Sequence, residues 1–182
     1  MRTRTTKRNL PLGSVYRLLE PGPVVLLTTA RAGRANVMPM SWHTMMEFEP
    51  PLVGCVVSDR NYSFQALKRT KECVLNIPTA TLIEAAVACG NTSGRTVDKF
   101  AAFGLTPLSA RRVEPPLIAE CPVNLECVVV DTRLVSKYCL FVLQVLKAWR
   151  DPRPARLQTF HHLGEGHFMI AGRRRTLASR AK

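Results

Sequence analysis

NVMPMSWHTMMEFEPPLVGCVVSDRNYS, residues 36–63, reads as a strand, a polar bend carrying a lone Trp, a Pro-Pro step, a second apolar strand and a polar turn that opens a helix. Asp59, Asn61 and Ser63 are residue types that favour a helix start. This layout collects main-chain amides, small hydroxyls and a helix N-terminus in one place.

Upstream, Pro23–Ala30 is rich in β-branched residues and reads as a strand. Arg31-Ala32-Gly33-Arg34 is a turn, so Ala35–Met40 returns as its hairpin partner. Ser14–Glu20 reads as a short helix closed by Pro21-Gly22. Downstream come a strand at Leu52–Val57, a helix at Asn61–Thr70 and a strand at Glu72–Ile77. Thr81–Cys89 predicts a helix with Thr81 as N-cap and Glu84 at the capping-box position. A polar loop leads to a short helix at Val97–Phe103, ended by Gly104. Val123–Asp131 alternates Val123, Leu125, Cys127 and Val129 with Asn124 and Glu126 on the other face, and Tyr138–Trp149 is its long apolar partner. Phe168–Ala171 is a last short strand. There is no βαβ rhythm and no GxGxxG, which excludes a Rossmann domain. The pattern predicts a mainly β protein, an antiparallel barrel with a few peripheral helices. One domain, 13–172, then lies between basic tails at 1–12 and 173–182.

Charge follows the same division. Of 26 basic residues, nine lie in the tails: Arg2, Arg4, Lys7, Arg8, Arg173, Arg174, Arg175, Arg180 and Lys182. The body keeps 17 basic against 13 acidic residues, a net of +4, so it is only mildly basic. The tails suit nonspecific polyanion contact rather than sequence reading. Mean hydropathy is near zero and no apolar run approaches the ~20 residues of a membrane span. With no secretion-type h-region in MRTRTTKRNL, the expected location is cytoplasmic, with no membrane contact. The six cysteines sit in apolar stretches such as VGCVV and LECVVV, with no CxxC, and read as reduced, buried thiols.

Four groups of residues carry chemistry. Met38 and Met40 are polarizable enough to pack on a planar aromatic ligand such as a flavin, and Ser41 and Thr44 offer hydroxyls at the strand end. The plainer reading is a core strand entering a turn, with Trp42 packing. Ser58-Asp59-Arg60-Asn61-Tyr62-Ser63 offers a phosphate free N–H groups, a helix dipole and a cation, or else forms an ordinary N-cap. In the segment Gly90–Phe100, Thr96 predicts a cap, Gly94 an unusual backbone angle, and Arg95 and Lys99 a shared anion; a plain surface loop is the alternative. His161, His162 and His167 cluster late in the chain with only Glu165 beside them, which argues for a polar loop rather than a metal site.

The order of these motifs resembles the flavin reductase-like FMN-binding proteins of the flavoredoxin type. The likeness rests on Asn-x-x-x-x-Ser-Trp with the following Pro-Pro, on the strand-to-helix turn ending in Ser63, and on SGR-x-x-DKF at Ser93–Phe100. It spans residues 14–172. The resemblance implies a split β-barrel homodimer with FMN, or FAD, near each subunit interface. NAD(P)H would pass a hydride to the flavin, and electrons would leave to a flavin, metal or protein acceptor. It implies ring contacts from Met38, Met40, Ser41, Trp42 and Thr44, and phosphate and ribityl contacts from Ser58, Arg60, Asn61 and Ser63. Lys99 and Phe100 would close over the flavin, often from the partner subunit, with Arg95 as a further cofactor contact. Phe168 and His162 would approach its face, His162 shaping the substrate site. No residue needs to act as acid, base or metal ligand, because the cofactor carries the chemistry. Three alternatives stay open: a flavin-binding protein without turnover, a pyridoxamine-phosphate-oxidase-like enzyme on the same barrel, whose motifs match this chain less well, and a nucleic-acid-binding barrel that uses the tails.

Overall fold

The computed structural model describes residues 22–151, 157–173 and 175–178. The helix expected at Ser14–Glu20, the N-terminal tail and part of the C-terminal tail lie outside the described residues.

Seven strands form one antiparallel sheet: β1 (Val25–Arg31), β2 (Arg34–Met40), β3 (His43–Glu47), β4 (Leu52–Val56), β5 (Glu72–Ile77), β8 (Val123–Asp131) and β9 (Leu140–Arg150). Their order is β2-β1-β5-β8-β9-β4-β3, which leaves β2 and β3 at the two ends. The β1–β2 hairpin turns where the sequence placed it. Ala32 and Gly33 both take positive φ (51° and 73°), the mirror-image turn that matches strand twist. β1 lies between β2 and β5 and is buried on both faces, which is why its sequence VLLTTAR barely alternates. Register shifts at Glu126/Cys127 and Val129/Asp131 mark bulges in the β8–β9 ladder.

Two apolar cores flank the sheet. Val25, Leu27, Met40, Cys55, Leu75, Cys127, Phe141 and Leu143 face inward around Phe64 and Leu67 of helix α1 (Tyr62–Thr70). Phe64 meets Phe141 edge-on at 5.5 Å. The other core joins Val24, Leu26 and Val37 to Ala86 and Cys89 of α2 (Ile83–Asn91), Phe100 of α3 (Lys99–Ala102), Ile118, Cys121 and Phe160. That outer face also carries two small antiparallel pairs, β6 (Pro107–Leu108) with β7 (Leu117–Ile118), and β10 (Phe160–Gly164) with β11 (His167–Ile170).

Several expectations shift. Residues 43–47, expected as part of a bend, form β3, an edge strand whose exposed pattern carries no alternating signal. The long strand expected from Tyr138 begins at Leu140. Val135–Tyr138 is instead a helical turn, α4, closed by Cys139 with φ 54°. Thr81 does not cap α2. It lies in a 3-10 turn, Ala80–Leu82, with its hydroxyl 2.8 Å from that of Thr79, and the helix begins directly after it at Ile83. Asp98, not Thr96, caps α3 by accepting from the amides of Phe100 and Ala101. Gly104, with φ 66°, ends it as expected. His161 and His162 lie in β10 rather than in a loop.

All six cysteines are free thiols, and five are buried. Cys121 lies outside β8 in the outer core, so it does not share a strand face with Cys127. Asn124 and Glu126 of β8 are buried rather than solvated, because the segment 104–121 folds over them. Asn124 Nδ2 donates to Asn76 Oδ1 (2.8 Å), and the Glu126 carboxylate accepts from the Arg111 and Arg112 amides. Among the described residues no helix is long and apolar enough to cross a membrane, and no three His, Cys, Asp or Glu side chains are placed to hold a metal.

Candidate functional site

Two cavities adjoin on the outer face of β2 and share a wall made of Pro39, Gly90 and Asn91. The wall forms because α2 ends against the strand. A Cβ on Gly90 would sit 3.1 Å from Pro39 Cγ, so glycine is what lets the helix end approach.

The first cavity, of about 430 Å³, is polar. Its floor is Asn36 and Met38 of β2, its side the start of α1 (Arg60, Asn61, Ser63), and its roof the segment 92–94. Asn36 Nδ2 donates to Ser63 Oγ at 2.8 Å, which ties β2 to the first turn of α1. The Asn61 side chain makes no capping bond, so the amides of that turn are not satisfied by it. Gly94 lies over the same pair. A Cβ there would fall on Asn36 Oδ1 and come within 2.9 Å of Tyr62 Cδ1. The sequence suggested an unusual backbone angle for Gly94, but its φ is not positive; space, not conformation, demands the glycine.

Lys99 completes this cavity. Only 5% of it is exposed, and its ammonium donates to the carbonyls of Cys89 (2.6 Å) and Val37 (3.0 Å). Cys89 belongs to the last turn of α2, so the cation satisfies a free carbonyl at the negative end of a helix. Burial lowers the Lys99 pKa, and the neighbouring Cys89 thiol acts in the opposite direction. Burial raises the Cys89 thiol to about 11. A buried ammonium bonded only to neutral carbonyls keeps its full positive charge available to an anion in the cavity.

The second cavity, of about 300 Å³, is mainly apolar, lined by Val24, Met40, Ala86, Val87 and Phe168, with Ser41 and His162 at its polar points. The β10–β11 hairpin supplies one wall. Phe168 packs edge-on to buried Phe160 at 5.8 Å, and the His162 ring lies 5.3 Å from Phe168.

The structure therefore gathers Met38, Arg60, Asn61, Ser63 and Lys99 in the polar cavity, and Met40, Ser41, His162 and Phe168 in the apolar one. Other expected residues lie elsewhere. Trp42 is 54% exposed beside the β3 edge, and the Thr44 hydroxyl donates to the Met45 carbonyl. The Ser58 hydroxyl accepts from the Arg60 amide and shapes the turn. Phe100 is a core residue behind the site, and Arg95 sits on the ring of Tyr62. Asn36, Pro39, Gly90 and Asn91 were not among the expected contacts. A polar Asn within an apolar strand and a Gly-Asn step after a helix were the available signals.

Comparison with known proteins agrees with this architecture. The flavin reductase-like domain matches residues 17–164 of the chain. The Escherichia coli (strain K12) protein YddH is 31% identical over 181 residues, covering 92% of this chain and 96% of its own. An FMN-binding domain of flavin reductases-like enzyme from Shewanella baltica superposes with a TM-score of 0.80 at 22% identity, covering 93% of this chain and 96% of that one. Flavoredoxin of Desulfovibrio vulgaris (Miyazaki F) gives 0.79 at 21% identity, covering 100% and 99%. The chain belongs to the flavin reductase-like family, and its fold is that of these FMN-binding proteins.

Proposed function

We propose that this protein binds FMN across the two adjoining cavities and works as an NAD(P)H-dependent flavin oxidoreductase. The observation that carries the reading is the join itself: a polar cavity lined by the Lys99 cation and opening, past Pro39 and Gly90, onto an apolar one. FMN has matching ends, a phosphorylated ribityl chain and a planar ring. Lys99, Arg60 and the amides at the start of α1 would hold the phosphate, and Asn61 and Ser63 the ribityl hydroxyls. Met40, Val24 and Phe168 would pack on the ring, with Ser41 at its polar edge.

When bound, the flavin supplies hydride acceptance and one- or two-electron release. The chain's own residues position and exclude. The apolar cavity walls keep water from one side of the ring, and the β10–β11 hairpin, through His162 and Phe168, shapes the space open to a nicotinamide or an acceptor. No acid or base of unusual pKa is required, because the flavin carries the chemistry.

Assembly as a homodimer fits the exposed apolar residues along β3. Met45, Met46 and the 81%-exposed Phe48 lie on or beside a strand at the end of the sheet. A reducing cytoplasm suits six unpaired thiols.

The test is the visible spectrum of the purified protein before and after FMN, followed anaerobically on adding NADH or NADPH. Flavin bands that report stoichiometric binding and bleach with reductant support the proposal. No binding of FMN or FAD would reject it.

A further inference from the structure

A third cavity, of about 200 Å³, lies on the far side of the Asn36–Ser63 pair from the apolar cavity. It is built between one face of the β1–β2 hairpin and one face of α1. Thr29 pairs with Asn36 and Arg31 with Arg34 across the hairpin, so alternation puts all four on the same face. Tyr62, Gln65 and Ala66, at i, i+3 and i+4 of α1, cover them. Arg95 closes the rim.

Two features of this cavity are unexplained by folding alone. It is walled by three guanidinium groups and no acid. Arg34 and Arg95 both stand over the Tyr62 ring, with Cζ 6.0 and 5.9 Å from its centroid, and Arg34 Nη2 donates to the Arg95 carbonyl at 3.4 Å. Among the described residues the only ion pair is Arg133–Asp131, so none of the three arginines is neutralised there. The second feature is the Thr29 hydroxyl. It is buried, 1% exposed, and is the one buried side-chain polar atom among the described residues without a hydrogen-bond partner. Leaving such a group unsatisfied costs about 1–3 kcal/mol, so its position needs a reason.

We propose that this cavity is a second phosphoryl-binding subsite, separate from the polar cavity. A phosphoryl oxygen would accept from the Thr29 hydroxyl, and the guanidinium forks of Arg31, Arg34 and Arg95 would bind its other oxygens. At about 200 Å³ the space admits a phosphoryl group but not an adenosine, whose ring would lie outside, beside the Tyr62–arginine stack. The subsite adjoins the polar cavity through Asn36 and Tyr62, which line both. It therefore suits the additional phosphate of a dinucleotide, and in that respect it rests on the proposed nucleotide chemistry of the neighbouring cavities. The source is either the adenylate phosphate of FAD or the 2′-phosphate of NADPH.

The first probe is inorganic pyrophosphate, titrated calorimetrically into the wild-type protein, Arg31→Gln/Arg34→Gln and Thr29→Val. The expected result is saturable binding weakened about tenfold or more in the arginine variant and measurably in Thr29→Val, with FMN affinity unchanged in both. Thr29→Val also separates a ligand role from a structural one. Removing an orphan hydroxyl should leave the melting temperature equal or higher while pyrophosphate binding falls. Two further titrations assign the source. Weakened FAD binding with unchanged FMN binding points to the flavin dinucleotide, and a raised KM for NADPH with NADH unchanged points to the 2′-phosphate. Equal pyrophosphate binding by all three proteins overturns the inference, whatever FMN does. Arginine-dependent pyrophosphate binding in a protein that binds no flavin would keep the subsite and reject the flavin reading.

Discussion

Asn36 donates a 2.8 Å hydrogen bond to the Ser63 hydroxyl, and that bond joins the floor strand of the polar cavity to the first turn of α1. Both residues are buried, at 6% and 1% exposure, so neither group has water to fall back on. Ser63→Ala should destabilise the fold by about 1–3 kcal/mol and weaken FMN binding about tenfold. Denaturant melts and a flavin titration measure the two effects independently. If affinity holds while stability drops, the pair is structural only.

Gly94→Ala tests the same contact from above. The added methyl must displace the Asn36 amide or the Tyr62 ring, and overpacking of that kind costs about 1–3 kcal/mol. Gly104→Ala, with open space and φ 66°, should cost about 1 kcal/mol through backbone strain and leave flavin binding alone. Thermal melts of the two variants, each with and without FMN, distinguish lost space from lost conformation.

Lys99 predicts a pH dependence of ligand binding. Because burial depresses its pKa below 10.5, the ammonium loses its proton at a lower pH in the folded chain than in the unfolded one. Below the folded pKa the buried charge lowers stability. That penalty is relieved as pH rises from the folded value to the unfolded one, where the unfolded chain binds more protons. FMN affinity should run the other way, falling with rising pH as the cation is lost. In Lys99→Met the affinity should be low and this alkaline limb absent. An alkaline limb that persists in Lys99→Met would assign it to another group.

Glu126 controls a different property. Burial pushes its carboxyl pKa up, but the Trp149 indole N–H (2.6 Å), the Arg112 and Arg111 amides and the Lys147 charge together hold it below 4.5. The folded pKa is depressed, so this contribution is complete above about 4.5 and is lost as pH falls through the folded value. Glu126→Gln should cost about 1.5–3 kcal/mol at neutral pH and flatten the acid limb of stability. Trp149 also lies under Arg111 and Lys147, with the cations 5.1 and 4.4 Å from its ring, so its fluorescence reports release of the 104–121 segment directly.

At the sheet edge, Phe48→Asp with Met45→Asp should shift the protein from dimer to monomer, since charge on an exposed edge blocks pairing. Light scattering during size exclusion decides the point. A wild-type monomer would remove the dimer from the proposed function.

Features set by short-range chemistry were legible from the order of residues. Gly33 marked the hairpin turn, because glycine takes the positive φ such a turn needs, and the β-branched run from Pro23 read as a strand. Ser63, Lys99 and Gly94 stood out in short motifs, and Gly104 marked a helix end because a left-handed residue stops a helix wherever it occurs. Features that depend on what covers a face follow from long-range packing instead. Glu126 and Asn124 alternate like solvated residues, and only the 104–121 segment makes them buried. Thr96 read as the cap of α3, and packing of Phe100 set the helix start so that Asp98 caps it instead. The α2 terminus, 51 residues along the chain from β2 at their nearest wall contact, Pro39 to Gly90, makes the cavity wall by packing rather than by any local signal. For the same reason Lys99, a surface residue by type, became the buried cation of the site: the carbonyls of Val37 and Cys89 that hold it come from two distant elements.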